Sequence, residues 1–226
     1  MPRAAVNLGG GDVPYHLREL EIARDALHPR HLMPEFGSHH RTILDVGCGM
    51  GQTLLAAALA EDVVAYGVDP DVEAIRAGQA MASPRVHLSV GCGEALPFPD
   101  GMFDLVICRV ALPYMRIGRS VREMGRVLKV DGEVWLSLHG LDTLVARGRI
   151  SCAEKRLRDV AYCGLVGLNS GLLHLTGAQL TVRGWTETVQ TERGMRRALA
   201  RAGLVCTEVR RAGHFVVCGR RAAGRG

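Results

Sequence analysis

The residues with the clearest capacity for chemistry lie in the run Ile43-Leu44-Asp45-Val46-Gly47-Cys48-Gly49-Met50-Gly51. An apolar stretch carries one acid, ends in glycine at every second position and passes at once into a helix-like run, Thr53 to Ala60. A strand, a glycine turn and a helix N-terminus in that order bring backbone close to a ligand. Glycine is needed there because a Cβ would block the approach or forbid the backbone angles. The spacing is G-x-G-x-G, with Gln52 where the dinucleotide fingerprint G-x-G-x-x-G has its third glycine. A carboxylate at Asp45 suits a ligand carrying an ammonium group better than one carrying a pyrophosphate. The turn therefore points to a nucleotide-like cofactor and away from a nicotinamide one.

Three further segments extend the pattern. Val63 to Asp69 reads as a second strand ending in an acid, and an acid at such a strand end can accept hydrogen bonds from both ribose hydroxyls. Gly91-Cys92-Gly93-Glu94-Ala95-Leu96-Pro97-Phe98-Pro99-Asp100 leads into Phe103-Asp104-Leu105-Val106, and Glu123 to Glu133 reads E-M-G-R-V-L-K-V-D-G-E. In this order, over roughly residues 40–138, the four segments resemble the class I S-adenosyl-L-methionine (SAM) dependent methyltransferases, in the small-molecule and quinone-type (methyltransferase type 11-like) branch. The resemblance implies SAM as cofactor, with Asp45 at its methionine end and Gly47, Cys48, Gly49 and Gly51 lending backbone. It also implies Asp69 and Pro70 at the ribose, Gly93, Glu94 and Ala95 around the adenine, and Arg109 near the methionine end or a substrate anion, unless Arg109 only forms a salt bridge at the rim. Cys92 stands where the family usually has an acid for the adenine amine, and sulfur is a weak acceptor. Backbone around Gly93–Ala95, or Glu94, is then expected to serve instead. Val130-Asp131 replaces the family's Pro-Gly pair in a remote turn, with no expected effect.

The elements that must position these residues alternate. Strands at 43–46, 63–68, 86–90, 103–109 and 133–138 are interleaved with helices at 53–60, 71–81 and 118–128. This predicts an α/β, Rossmann-like, doubly wound and mostly parallel sheet with helices on both faces, its ligands at the carboxyl ends of the strands. A helix over Tyr15–Leu27 caps the pocket in the resembling proteins, which makes Tyr15 and Arg18 candidates to touch cofactor or substrate. Residues 192–202 read as a helix stopped by Gly203, followed by strands 204–210 and 214–219 that close a seven-stranded sheet in antiparallel fashion. The expected layout is one domain over 1–226, with an N-terminal helical cap (1–38), a cofactor-binding core (40–138), a helical cap insertion (139–183) and a C-terminal helix and closing strands (184–219). Within the insertion, Cys152 to Tyr162 reads as amphipathic and Leu165 to Leu175 as apolar; residues 1–11, with Gly9-Gly10-Gly11, read as disordered.

Methyl transfer from a sulfonium is an in-line displacement in which the protein chiefly aligns the nucleophile and excludes water. A base is needed only where the nucleophile must lose a proton. His139, just after the fifth strand, and His174, in the insertion, are the catalytic candidates, with Tyr114 and His16 also near the expected pocket. No metal site is expected, because the seven cysteines include no C-x-x-C pair and do not combine with the nine histidines at finger spacing. Free thiols, and the lack of a signal-like N-terminus or an eighteen-residue apolar run, fit a cytoplasmic protein. Charge is uneven: residues 1–140 carry thirteen Lys and Arg against seventeen Asp and Glu, residues 141–226 fifteen against six. The basic excess is consistent with an acidic substrate, an anionic membrane surface or RNA, or with a merely solvated Arg-rich surface. An aromatic content of 4 % argues against a base-stacking platform. The leading reading is a methyltransferase for a small lipophilic or aromatic acceptor; the alternatives are an RNA or protein methyltransferase and a catalytically silent SAM-binding scaffold.

Overall fold

Runs of β-branched and apolar residues form the strands of the computed structural model, which describes residues 13–181, 186–211 and 213–223. The expected disorder of residues 1–11 and the last part of the basic tail lie outside the described residues. The strands are β1 (Thr42–Val46), β2 (Val64–Asp69), β3 (Val86–Val90), β4 (Phe103–Arg109), β5 (Leu128–Leu138), β6 (Leu204–Arg210) and β7 (Phe215–Arg221). The helices are α1 (Val13–Arg24), α2 (Gln52–Ala56), α3 (Val72–Gln79), α4 (Ile117–Val127), α5 (Leu141–Ala153), α6 (Leu157–Thr176) and α7 (Glu192–Arg201). One sheet runs in the order β3-β2-β1-β4-β5-β7-β6. Strands β1 to β5 pair in parallel, and β7 lies antiparallel between β5 and β6. The fold is thus the expected doubly wound α/β sheet with an antiparallel closing hairpin. Its strand order reverses between β1 and β4, where the carboxyl ends leave a crevice.

Side chains alternate across the sheet and build a core on each face. Leu44, Val46, Val106 and Leu136 pack with Val121 and Met124 of α4 and Met195 and Leu199 of α7. Ile43, Leu105, Ile107 and Trp135 pack with Leu54 of α2 and Ile75 of α3 on the other face.

Two conspicuous sequence segments prove to be a clamp and its cargo. Arg126 donates to the carbonyls of Leu96 (3.1 Å) and Phe98 (2.8 Å) and to Asp100 (2.7 Å), while Glu123 pairs with Arg126 and accepts the Leu96 amide (2.9 Å). The E-x-x-R of α4 therefore fixes the loop that carries Cys92 to Ala95. Asp104 anchors the opposite end of the sheet, accepting from the Arg41 and Thr42 amides, the Thr42 hydroxyl and Lys129. Partial burial works against its charge, but the bonds from Lys129 and Thr42 hold its carboxyl down at about 2.

Several boundaries differ from expectation. The 53–60 helix stops at Ala56, since Ala57 is extended and Leu59 reaches the core from an irregular segment. The 71–81 helix spans Val72–Gln79. β5 starts at Leu128 rather than 133, because Asp131, where the family has glycine, takes φ +62 and lets the strand bulge against β4. An acid tolerates that conformation better than most residues. The amphipathic stretch Cys152–Tyr162 is not one helix: α5 ends at Ala153, and Lys155 (φ +54) turns the chain into α6. No helix among the described residues is long and apolar enough to cross a membrane.

Candidate active site

The glycine turn joins β1 to α2 at the crevice. The Gly47 and Cys48 amides both donate to the Val68 carbonyl of β2 (2.8 and 3.2 Å), which folds the turn back over the sheet edge. Gly47 has φ +74, and a Cβ there would lie 2.3 Å from Ala111 Cβ, so neither its angles nor its surroundings admit a side chain. Gly49 has φ +56 and faces the His16 ring of α1, 2.6 Å from where its Cβ would be. Gly51 is the N-cap of α2. Cys48 is buried in the core, so its contribution to the turn is backbone only; burial pushes its thiol up.

Asp45 is the most unusual group of the site. Its residue is 1 % exposed, and neither carboxylate oxygen has a hydrogen-bond partner among the described residues. Burial pushes its carboxyl up to about 7, which the charge of Arg109 and the nearby Thr53 only partly offset. A buried polar group without a partner is costly, and a carboxylate more so than most. Such a group, beside a cradle that a Cβ would fill, fits a ligand bringing its own cation and hydrogen-bond donors.

Asp69 does what the sequence reading did not foresee. Its Oδ2 accepts the Gly49 amide (2.8 Å) and its Oδ1 the Asp71 amide (2.9 Å), so it pins the glycine turn to β2. Each oxygen keeps a further lone pair, and Pro70 beside it is exposed. In the clamped loop, Gly93 is buried, and a Cβ on it would meet Met115 and Val46; Cys92 and Ala95 are exposed. Glu94, a candidate for the adenine, is turned instead to the Arg116 amide at the start of α4 (2.8 Å). A carboxylate there complements the unpaired amides of a helix N-terminus.

Arg109 ends β4 and pairs with Glu19 of α1 at 2.9 Å, each side chain 9 % exposed. Glu19 also pairs with Arg30. The salt bridge foreseen as one option for Arg109 is therefore formed, though buried rather than at the rim, and it holds the N-terminal helix over the glycine turn. Arg18 on the same helix is exposed. After Arg109 comes Val110 with φ +53, a conformation that strains a β-branched residue and of a kind that clusters at ligand sites and switch regions.

His139 leaves the end of β5 close to Tyr114, their rings edge to face at 6.0 Å. Burial lowers the His139 pKa, against the pull of Glu187 and Asp142, which keeps the ring neutral near pH 7. Burial, with the charge of Glu187 and the proximity of Tyr15, raises that of Tyr114. Glu187 is buried, accepts from Arg147 of α5 (3.0 Å) and from the Tyr162 hydroxyl of α6, and Arg147 stacks over the Tyr162 ring. Glu19, Glu187, Arg147 and Tyr162 escaped the sequence reading. The one available signal was the polar run Thr186-Glu187-Thr188, which with Gln190 is buried and threads the sheet edge: the Thr188 amide donates to Pro113, and that of Gln190 to His139. His174 is not part of this group. Its Nδ1 sits 2.8 Å from the hydroxyl of Thr191, the N-cap of α7, because the last turn of α6 packs on α7, away from the crevice.

Comparison with known proteins agrees with the fold. Residues 43–132 match the family model described as a methyltransferase domain. The uncharacterized methyltransferase YcgJ of Bacillus subtilis is 36 % identical over 111 residues, 46 % of this chain and 43 % of YcgJ. Ajmaline N-methyltransferase of Rauvolfia serpentina is 34 % identical over 105 residues, 44 % of this chain and 36 % of that protein. The chain thus spans less than half the length of these two curated relatives. The crystal structure of YcgJ superposes with a TM-score of 0.56 at 18 % identity, covering 93 % of this chain and 100 % of that one. Geranyl diphosphate C-methyltransferase of Streptomyces coelicolor, in complex with Mg2+, geranyl diphosphate and S-adenosyl-L-homocysteine, gives 0.57 at 15 %, covering 92 % and 80 %. At such identities the superpositions speak for the fold alone, while the sequence matches liken residues 43–132 of this chain to a methyltransferase domain.

Proposed function

We propose that the chain binds SAM in the crevice between β1 and β4 and transfers its methyl group to a small, lipophilic or aromatic acceptor. The observation that carries this reading is the buried, unpartnered carboxylate of Asp45 beside a glycine turn with no room for side chains. When bound, the cofactor supplies an electrophilic sulfonium methyl. Asp45 would accept the ammonium of its methionine end, Gly47 to Gly51 would admit it closely, and the spare lone pairs of Asp69 would meet the ribose. Cys92, Gly93 and Ala95 would border the adenine, with backbone replacing the missing acid. Glu19 and Arg109 would hold α1 as a cover that excludes water.

The acceptor would lie beyond Val110, toward Tyr114 and His139. A neutral, half-buried imidazole there is suited to remove a proton from a hydroxyl or an activated carbon. The helices α5 and α6 would form the cap, latched by Glu187 to Arg147 and Tyr162. Relatives named for ajmaline N-methylation and for ubiquinone/menaquinone biosynthesis C-methylation set the class of acceptor to try first. All seven cysteines are free thiols, in keeping with a cytoplasmic enzyme.

The test is calorimetric titration of the purified protein with S-adenosylhomocysteine, with NADH as control, followed by a screen of phenols and quinols. Micromolar binding of the first alone, then turnover of an acceptor, is expected. Binding without turnover of any small acceptor would favour an RNA or protein substrate or a silent scaffold. A folded protein that binds neither would remove the reading.

A further inference from the structure

Part of the basic excess of the C-terminal part is gathered in one place. Arg193, Arg196 and Arg197 of α7 and Arg211 after β6 line one cavity of about 620 Å³, against Leu141 at the start of α5. That volume is typical of sites for small organic ligands. No residue of the glycine turn, of Asp69 or of the Cys92–Ala95 loop lines it, so it is separate from the crevice. Among the described residues that line it, Glu192 is the one acid, and it is shared between Arg196 (2.9 Å) and Arg211 (3.6 Å). Arg197 spends one nitrogen on the carbonyls of His174 and Leu175 at the end of α6. Arg193 has no hydrogen bond or ion pair with a described residue. Four guanidinium groups against one carboxylate leave an excess of three positive charges in a concave site.

Like charges brought together repel, and a cavity focuses their field on whatever enters it. Guanidinium forks answer that field best with oxyanions, which they hold through paired N–H bonds. We infer that this cavity binds a small soluble anion bearing at least two negative charges, of the phosphorylated or polycarboxylated kind. A single carboxylate would leave most of the excess uncompensated. A nucleic-acid strand would look for a broad stacking platform, and among the described residues no Phe, Tyr or Trp lines the cavity. The site adjoins the proposed acceptor region: Gln190 on its wall donates its amide to the His139 carbonyl (2.8 Å) and accepts the His139 amide on its side chain (3.2 Å). The anion site nevertheless stands on its own residues, whether or not the chain transfers a methyl group.

The test titrates the full chain, at low ionic strength, with inorganic pyrophosphate and with citrate. Submillimolar binding of either is expected, weakened tenfold or more in Arg193→Ala/Arg196→Ala. It should be unchanged in Arg119→Ala/Arg122→Ala, which removes the same charge from exposed positions of α4 off the cavity wall. All four side chains are exposed, and matching thermal melts would show that both variants fold. S-adenosylhomocysteine affinity should be equal in the two variants, which separates this site from the crevice. Equal weakening in both, or no binding of pyrophosphate or citrate, would overturn the inference. So would binding confined to phosphatidic acid vesicles or to a single-stranded RNA.

Discussion

Replacing Asp45 by asparagine tests whether its carboxylate is held in the fold at a cost that only a ligand relieves. The carboxyl moves from its ordinary 3.8 to about 7 on folding. Between those values the folded state binds more protons than the unfolded one, so stability falls as pH rises through that window and levels off above 7. At about 1.4 kcal/mol for each tenfold change in proton affinity, the full penalty is about 4 kcal/mol, and about 3 kcal/mol of it develops between pH 5 and pH 8. The side chain of Asp45→Asn cannot ionise, so that part of the pH dependence should vanish. The new amide is buried and unpartnered as the neutral acid is, so these costs nearly cancel and the variant should be more stable than the parent at pH 8 by about 4 kcal/mol. Urea unfolding of both proteins at pH 5 and pH 8 reads the difference directly, and S-adenosylhomocysteine titration should show affinity lost in the more stable variant. If the two proteins lose the same stability from pH 5 to pH 8, Asp45 is not held desolvated in the fold and gives no reason to expect a cationic ligand.

Glu19→Gln should cost about 3 kcal/mol in urea unfolding, because Arg109 is left buried without its partner, and should expose α1 to limited proteolysis; an intact α1 would deny it the role of a fastened cover. Gly47→Ala should lose at least ~2 kcal/mol from the left-handed conformation and the approach to Ala111. Adding Ala111→Gly should restore the steric part only, and full restoration in the melt would show that φ is not strained. His139→Ala should leave S-adenosylhomocysteine affinity intact and lower turnover ~10²-fold; an unchanged rate would remove it as a base. Burial also lowers the pKa of His40, so the folded state takes up a proton less readily than the unfolded one. Stability should fall as pH drops below about 6.5, and His40→Gln should show a smaller loss between pH 7.5 and 5.5 in thermal melts.

The local sequence determined what depends on near neighbours. Alternating apolar runs and helical periods set the strands and helices, and Gly47 to Gly51 announced a turn because only glycine supplies those angles. Asp45, Asp69 and Arg109 were recognisable because each sits at a strand end, where the fold class already places ligands. What the tertiary structure decided are pairings between segments far apart in the chain, on which periodicity is silent. The partner of Arg109 is Glu19, ninety residues earlier; Asp69 is claimed by the Gly49 amide, Glu94 by that of Arg116. His139 and His174 looked equivalent in sequence, yet the packing of α6 on α7 carries one to a helix cap and leaves the other beside Tyr114. Four arginines of a basic excess that fitted either an acidic partner or a solvated surface came to line one cavity only once α7, the end of β6 and the start of α5 met around it. Backbone preference is a property of the residue and is written in the sequence, whereas burial and partnership belong to the assembled fold and emerge only when the sheet is closed.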